Sequence, residues 1–174
     1  DNPFSDGGKG DPKVWSYGHR NAQGLALDQS TGTVYMHEHG PQGGDELNSI
    51  LPAKNYGWPA VTQGINYSGA YVSPLKSAPG IEEPLTFWVP SIAPSGLAIY
   101  KGAAFPEWHG DLFVGALVDQ DVRRIDMEMG KVVGEESVFA EVGARIRDVR
   151  CGPDGYLYIL TDSESGKLLR VVPD

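Results

Sequence analysis

The sequence lacks several features that would each indicate a particular class of protein. It contains one cysteine, Cys151, so no disulfide can form within the 174-residue chain. Its longest apolar run, LFVGALV at residues 112–118, is far shorter than the roughly 20 residues of a membrane-spanning helix. No long stretch repeats its apolar residues with the period of an α-helix. These absences argue against a disulfide scaffold, a membrane span and a helical bundle.

Positive charge and the common catalytic motifs are also scarce. The formal net charge is −9, and an acidic surface repels phosphate backbones, which argues against nucleic acid as a partner. The sequence has no GxSxG nucleophile elbow, no P-loop and no GxGxxG dinucleotide fingerprint. Serine hydrolase, P-loop NTPase and Rossmann dehydrogenase chemistry therefore have no support.

Short β-branched and aromatic runs dominate what remains. They cover residues 33–37, 96–100, 111–114, 156–161 and 168–172, and each is bounded by Gly, Pro, Asp or Ser. This is the pattern of strands joined by turns, since the 23 glycines and 13 prolines are scattered along the chain. The sequence predicts an all-β fold.

A weak internal repeat has three copies, which begin at Gly24, Gly96 and Asp148. Each copy has an alternating apolar segment, a glycine turn, a strand with an aromatic residue near its centre, and a further strand. The aromatic residues are Tyr35, Phe113 and Tyr158. The repeat favours about three blades of a β-propeller, with an insertion at roughly residues 52–90. We expect residues 1–174 to form one incomplete propeller domain that needs further blades to close; a single β-sandwich is the alternative.

Two segments could bind metal. His37 and His39 alternate on one strand face, which would suit zinc, although such a pair is more often structural. The segment GPQGGDELN at residues 40–48 offers unobstructed carbonyls and the carboxylates of Asp45 and Glu46. Oxygen ligands of this kind suit Ca²⁺, and the alternative is a solvated acidic turn.

One pair of basic residues could bind an anion. Arg145 and Arg147 lie in ARIRDVR, which reads as a strand, so period-two alternation puts both guanidinium groups on one side. Two arginines in this arrangement suit a polyanionic ligand. The alternative is a solvent-facing edge whose arginines pair with nearby acidic residues.

Several longer motifs together resemble one enzyme family. GHRNAQGLALD, EHGPQGGDELN, NYGWP, INYSG, RIRDV and GPDGYLY occur in this order in this sequence. They are similar to motifs of the soluble PQQ-dependent aldose sugar dehydrogenases and quinoprotein glucose dehydrogenases, and the chain looks like the C-terminal half of such an enzyme. The resemblance implies a six-bladed propeller, oxidation of aldoses to lactones with PQQ and calcium, and a periplasmic or secreted location. It also implies a missing N-terminal half, or a partner chain, to close the ring.

The resemblance also implies roles for individual residues. Arg20, Asn21 and Gln23 would lie at PQQ, and Arg145 and Arg147 beside its carboxylates. The backbone carbonyls of Gly40 and Pro41 would bind the catalytic Ca²⁺. A second, structural Ca²⁺ would use Glu46 and the carbonyl of Tyr56. The residues that carry these expectations are those of the motifs GHRN, EHGP, GGDE, NYG and RIRD.

The sequence departs from the family pattern in two places. The catalytic histidine of the family lies upstream of the matched region, so none of the four histidines inherits its role. Val118 stands where relatives carry a PQQ-contacting lysine, and Arg123 or Arg124 would have to compensate. Two other functions are therefore weighed: a calcium-dependent propeller hydrolase of the lactonase type, and a half-propeller that binds without catalysis.

Overall fold

The computed structural model describes residues 2–8 and 10–173, and this part of the chain is built almost entirely of strands. Two short 3₁₀ turns, Pro106–Trp108 and Ala140–Val142, are the helical segments described. The strands are β1 (Ala22–Asp28), β2 (Thr33–Glu38), β3 (Asp45–Ile50), β4 (Thr86–Trp88), β5 (Pro94–Ile99), β6 (Leu112–Ala116), β7 (Val122–Glu128), β8 (Lys131–Val138), β9 (Ile146–Cys151), β10 (Leu157–Thr161) and β11 (Leu168–Val171). The all-β prediction is confirmed. None of the described helical segments is long enough and apolar enough to cross a membrane.

The strands form three antiparallel sheets in which neighbours in sequence are neighbours in space. Sheet 1 has the order β1-β2-β3-β4, sheet 2 the order β5-β6-β7-β8, and sheet 3 the order β9-β10-β11. The three copies of the repeat correspond to the three sheets, because Gly24 lies in β1, Gly96 in β5 and Asp148 in β9. Consecutive meanders of this kind are propeller blades, so the chain is a partial propeller and the β-sandwich alternative is wrong.

Sheet 2 is packed on both faces, which explains the longest apolar run of the sequence. Leu112 and Val114 face sheet 1, in a core with Tyr35, Leu47 and Leu97. The residue between them, Phe113, faces sheet 3, in a second core with Tyr100, Ile146, Leu157 and Ile159. A strand covered on both sides reads as continuously apolar, as β6 does.

The inner strands β1, β5 and β9 run side by side at very short separations. A Cβ atom on Gly24 would lie 2.8 Å from Cβ of Leu97 in β5, and one on Gly96 would lie 2.5 Å from the Val149 nitrogen in β9. Only glycine permits such an approach, so the glycine that begins the first two copies of the repeat marks the contact between blades.

The segment between β3 and β5, which includes most of the predicted insertion, is irregular apart from β4. It is tied down by backbone hydrogen bonds, such as those from Tyr56 N to Tyr17 O and from Glu82 N to Asn55 O. It covers part of sheet 1, because Tyr56 packs with Met36 and Ile50 in a third, smaller core.

Candidate functional site

The three inner strands all begin at the same end of the sheets, which we call the upper end. His39, just after β2, contacts the Pro94 carbonyl at the start of β5 through Nε2 at 2.7 Å. Ser95 Oγ, one residue further along β5, donates to the Ile146 carbonyl at the start of β9 at 2.7 Å. The residues that precede β1, β5 and β9 are therefore neighbours, although they are far apart in sequence. Every residue that the sequence assigned to PQQ or to the catalytic calcium lies at this end.

The turn that contains Gly40 and Pro41 is compact and rich in carbonyl oxygens. A Cβ atom on Gly40 would lie 2.1 Å from the Gly43 oxygen and 2.5 Å from the Gly44 oxygen, so only glycine fits. The Gly40 amide donates to Oδ1 of Asp45 at 3.0 Å. Backbone carbonyls are ligands that Ca²⁺ accepts, so the donor chemistry of the turn is compatible with the cation that the resemblance implies.

Asp45 holds this turn in place instead of offering a free carboxylate. Its side chain is fully buried. Besides the Gly40 amide, it accepts hydrogen bonds at Oδ2 from Ser91 Oγ at 2.5 Å and from the Ala93 amide at 3.1 Å. The expectation that Asp45 adds a carboxylate to a calcium site is therefore wrong, because its oxygens already join the turn to the segment before β5.

The predicted residues before and within β1 lie next to the turn. Arg20 donates from Nη1 to the His39 carbonyl at 2.9 Å, and its guanidinium lies 5.3 Å from the centre of the Trp58 ring. Asn21 and Gln23 are exposed, and Gln23 Nε2 donates to Asn21 Oδ1 at 3.0 Å. Arg20, Asn21, Gln23 and the turn thus form one cluster at the upper end of sheet 1.

The second predicted cluster lies at the upper end of sheet 3. Arg145 Nε and Arg147 Nη2 each donate to the same oxygen of Asp162, at 3.0 Å in both cases. The hydrogen bonds from Arg145 and Arg147 lower the pKa of Asp162. The two guanidinium groups are thus on the same side of the strand and half-exposed, and they pair with an acidic residue as the edge-strand alternative expected.

The two clusters have no direct contact. Within residues 2–8 and 10–173, neither a hydrogen bond nor an ion pair joins Arg20 to Arg145 or Arg147. The start of β5 lies between them, so a ligand that contacts both clusters has to extend across the upper end of sheet 2.

A small cavity lies beneath the turn, beside the residues predicted for the structural calcium. Its volume is about 10 Å³, which suits one water molecule or ion, and Glu38, Glu46 and Tyr56 are among the residues that line it. Glu38 and Glu46 are direct cross-strand partners, an unfavourable position for two negative charges. Burial, with a smaller contribution from Glu38, raises the pKa of Glu46 to about 7.

The carboxylate of Glu46 accepts fewer hydrogen bonds than that of Glu38, although both line this cavity. Glu38 accepts hydrogen bonds from the Arg20 and Asn21 amides and contacts His19 Nδ1 at 3.0 Å. Glu46 has a single long contact, 3.4 Å from Asn48 Nδ2. The Tyr56 hydroxyl is engaged by Ser49 and Leu51, so its side chain does not serve the cavity. A bound cation would relieve the repulsion between the two carboxylates, and the donor set therefore fits calcium. Among the described residues no cluster of three or more His, Cys, Asp or Glu side chains could hold a metal, so a calcium site here needs other oxygen ligands, such as backbone carbonyls.

The structure gives no support to the zinc hypothesis for His37 and His39. The two rings do share a strand face, but each contacts a backbone carbonyl of β5 through Nε2: His37 that of Gly96 at 3.3 Å, and His39 that of Pro94. Since a carbonyl only accepts, these nitrogens carry the proton and are not free to bind a metal. The H-x-H pattern therefore marks a pair of links between sheets 1 and 2.

Val118 is exposed at the upper end, where it follows β6. Neither arginine suggested as a substitute is free: Arg123 is held by Asp119, Asp121 and Glu135, and Arg124 by Asp111 and Glu136. These ion pairs belong to sheet 2 and its loops. The position of the family lysine thus remains without a cation from either residue.

Reasoning from the sequence missed a wide pocket beside the Gly40 turn. It has a volume of about 630 Å³, and its walls include Gly40, Pro41, Ile65, Tyr67 and Val89. The motif INYSG indicates the family resemblance and predicts no pocket. Nothing in the spacing indicates that the insertion returns to the turn, because that contact depends on tertiary folding.

Comparison with known proteins identifies the family. Residues 1–170 match the family described as Glucose / Sorbosone dehydrogenase. The chain is 47% identical over 175 residues to the aldose sugar dehydrogenase of Escherichia coli, covering 99% of this chain and 47% of that protein. A crystal structure of a glucose dehydrogenase, 52% identical, superimposes with a TM-score of 0.94 over 100% of this chain and 51% of that one. The PQQ-bound aldose sugar dehydrogenase of Streptomyces coelicolor, 28% identical, gives a TM-score of 0.67 over 94% of this chain and 45% of its own.

These relatives agree with the partial propeller in fold and with each other in activity. The chain spans about half the length of the relatives it matches. The resemblance that the motifs predicted is thereby confirmed: the chain belongs to the glucose/sorbosone dehydrogenase family of PQQ-dependent aldose sugar dehydrogenases.

Proposed function

We propose that the whole protein oxidises aldose sugars at C1 to lactones, with PQQ and calcium as cofactors. The observation that carries this proposal is the position of the Gly40–Pro41 turn at the same end as Arg20, Arg145 and Arg147. A carbonyl-rich turn for a hard cation beside arginines for a polyanion is the arrangement that a tricarboxylate quinone requires.

Each group of residues has a distinct task in this proposal. When bound, PQQ supplies the quinone that accepts hydride, and Ca²⁺ supplies a Lewis acid. The Gly40 and Pro41 carbonyls would hold that ion, with Asp45 fixing the turn. Arg145 and Arg147 would bind cofactor carboxylates in exchange for Asp162, while Arg20, Asn21 and Gln23 would orient the opposite side. Glu46 and the Tyr56 carbonyl would hold a second, structural Ca²⁺.

Closing the propeller is a necessary part of the proposal. Leu25 and Leu27 on the outer face of sheet 1 are 62% and 53% exposed, and Leu160 and Leu168 on sheet 3 are 40% and 69% exposed. These outer faces are apolar, as surfaces that pack on further blades would be. We propose that the N-terminal half of the protein, or a partner chain, covers them and provides the histidine that takes the sugar proton. We also propose a periplasmic or secreted location, which cell fractionation would test.

The Arg145–Arg147 pair favours this function over a calcium-dependent hydrolase of the lactonase type, because a hydrolase has no anionic cofactor to bind. A binding module without catalysis would keep the fold but would not need PQQ. The experiment is to load the whole protein with PQQ and Ca²⁺, record the cofactor absorbance and follow dye reduction with glucose. The 174-residue chain alone is the matched control, in which we expect no turnover. An absence of both PQQ binding and dye reduction in the whole protein would refute the proposal.

A further inference from the structure

The wide pocket beside the Gly40 turn lies between two sheets that are both present in this chain. One wall is the turn itself, residues 39–43, and the other is the segment before β5, which contributes Val89, Pro90, Ser91 and Ala93. The open faces that further blades would cover lie elsewhere, on the far sides of sheets 1 and 3. The residues named for these walls all belong to this chain, so forming the pocket does not require a further blade.

The third wall is the loop of residues 63–71, which is fastened to the turn. Gln42 and Ile65 exchange backbone hydrogen bonds of 3.0 and 3.3 Å, as two paired strands do. Beyond Ile65 the loop closes on itself, because the Asn66 amide donates to the Ala70 carbonyl and the Gly69 amide to the Asn66 carbonyl, both at 2.8 Å. A rigid loop is thus held against the turn that would carry the cation.

This loop presents one aromatic ring to the pocket. Tyr67 lines the pocket and is 73% exposed. Tyr71 is on the same loop and equally exposed, at 76%, but it is not among the residues that line the pocket. The two tyrosines therefore differ in their position relative to the pocket, and they do not differ in exposure or in the loop that carries them.

We propose that Tyr67 is a substrate-binding residue that stacks on the C–H face of the aldose ring, an inference that rests on the proposed dehydrogenase function. A ring-form sugar has an apolar face of C–H groups and a polar rim of hydroxyls, so it suits an aromatic plane beside a polar turn. Ile65 and Val89 extend the apolar wall, and the Gly40–Pro41 turn faces the hydroxyl end. Because the loop is already ordered, binding loses little conformational entropy there.

The test compares Tyr67→Ala, Tyr67→Phe and Tyr71→Ala in the whole protein, loaded with PQQ and Ca²⁺ and assayed with glucose. Loss of the ring should raise KM about three- to tenfold with a small effect on kcat, since an aromatic contact contributes on that scale. Tyr67→Phe keeps the ring and should stay near wild type, and Tyr71→Ala should match wild type. Saturation-transfer NMR with glucose, on the protein without cofactors, measures the same contact independently of turnover.

The outcomes separate this inference from the proposed function. Wild-type turnover with no change in KM or in saturation transfer for Tyr67→Ala would overturn the role of Tyr67 and leave the function standing. A wild-type protein that neither binds PQQ nor turns over would overturn the function, and the NMR comparison would then decide on Tyr67. Equal effects of Tyr67→Ala and Tyr71→Ala would also refute the inference, because the pocket would not distinguish them.

Discussion

At the scale of single residues, one buried and one half-buried group have charge states that depend on their surroundings. His37 is completely buried between β2 and β5, and burial lowers its pKa to about 4, with a smaller contribution from His39. Glu46, by contrast, has its pKa raised to about 7 by burial and by Glu38. The sequence identifies both residues as candidates for metal binding, but it cannot show that one faces a carbonyl and the other a carboxylate.

We expect the protein to lose stability in acid because of His37. The unfolded state binds a proton near pH 6.5, whereas the folded state does so only near the folded pKa of about 4. The contribution is therefore complete above pH 6.5 and is lost as the pH falls towards 4, up to about 3 kcal/mol in free energy of unfolding. Urea unfolding of wild type and His37→Gln between pH 4 and 7 measures it. Parallel pH profiles for the two proteins would contradict the assignment.

We expect Glu46→Gln to change stability in opposite directions with and without calcium. Without calcium the variant should be more stable than wild type above pH 7, because a charge opposite Glu38 is removed. With calcium the wild type should gain stability and the variant should gain so much less, because a ligand is lost, that it becomes the less stable of the two. Thermal unfolding in chelator and in millimolar Ca²⁺ tests this.

Asp45→Asn serves as the comparison variant for Glu46→Gln. It should lower stability both with and without calcium, since three hydrogen bonds depend on that carboxylate.

At the scale of elements, the apolar strands were predictable and the polar or very short strands were not. β2, β6 and β10 lie close to the predicted runs because buried apolar residues define them, and β11 lies close to a predicted run although its side chains are partly exposed. β8 was missed, since its sequence KVVGEESV is mostly polar and exposed. β4 was hidden within the predicted insertion because it has only three residues. Pairing with β7 and β3 creates these strands, and pairing over long distances leaves little trace in local sequence.

We expect a lysine at the end of β6 to strengthen cofactor binding. Val118 is exposed there, and Arg123 and Arg124 are held by carboxylates, so Val118→Lys would add a cation where none competes. A charge-assisted hydrogen bond to PQQ is worth about 1.5–3 kcal/mol, or about tenfold or more in affinity. PQQ titration at fixed Ca²⁺ measures the effect, with Val133→Lys on β8 as a control of equal charge. An unchanged affinity for Val118→Lys, or an equal gain in the control, would count against the prediction.

At the scale of the whole molecule, the propeller was predictable because the sequence contains three copies of the repeat. The sequence also contains the glycines that allow neighbouring blades to approach closely, Gly24 and Gly96, but only the structure shows that they lie at these contacts. The candidate site was predictable only as a set of motifs. Its supporting groups, Asp45, Asp162 and the loop of Tyr67, depend on contacts between segments that are distant in sequence.

We expect the outer apolar faces to behave differently in the isolated chain and in the whole protein. Leu168, 69% exposed on sheet 3, is a direct partner of Leu160. Leu168→Lys should reduce self-association of the isolated chain, because it interrupts an exposed apolar patch. In the whole protein the same change should destabilise by about 2 kcal/mol or more, since a charge would be buried against another blade. Ultracentrifugation and thermal unfolding test the two halves of the prediction; equal stability of variant and wild-type whole protein would show that this face stays open.

The carboxylate of Asp162 has a consequence for selectivity. Because it already accepts a hydrogen bond from both Arg145 and Arg147, an incoming anion competes with an internal one for the charge of these arginines. A chloride or a simple monocarboxylate exchanges one weak pairing for another and gains little. A ligand with several carboxylates on a rigid frame can contact Arg145, Arg147 and Arg20 together. The free energies of these contacts then add up, whereas the contacts of Asp162 are lost only once. We therefore expect Asp162 to disfavour the binding of small anions relative to a polycarboxylate.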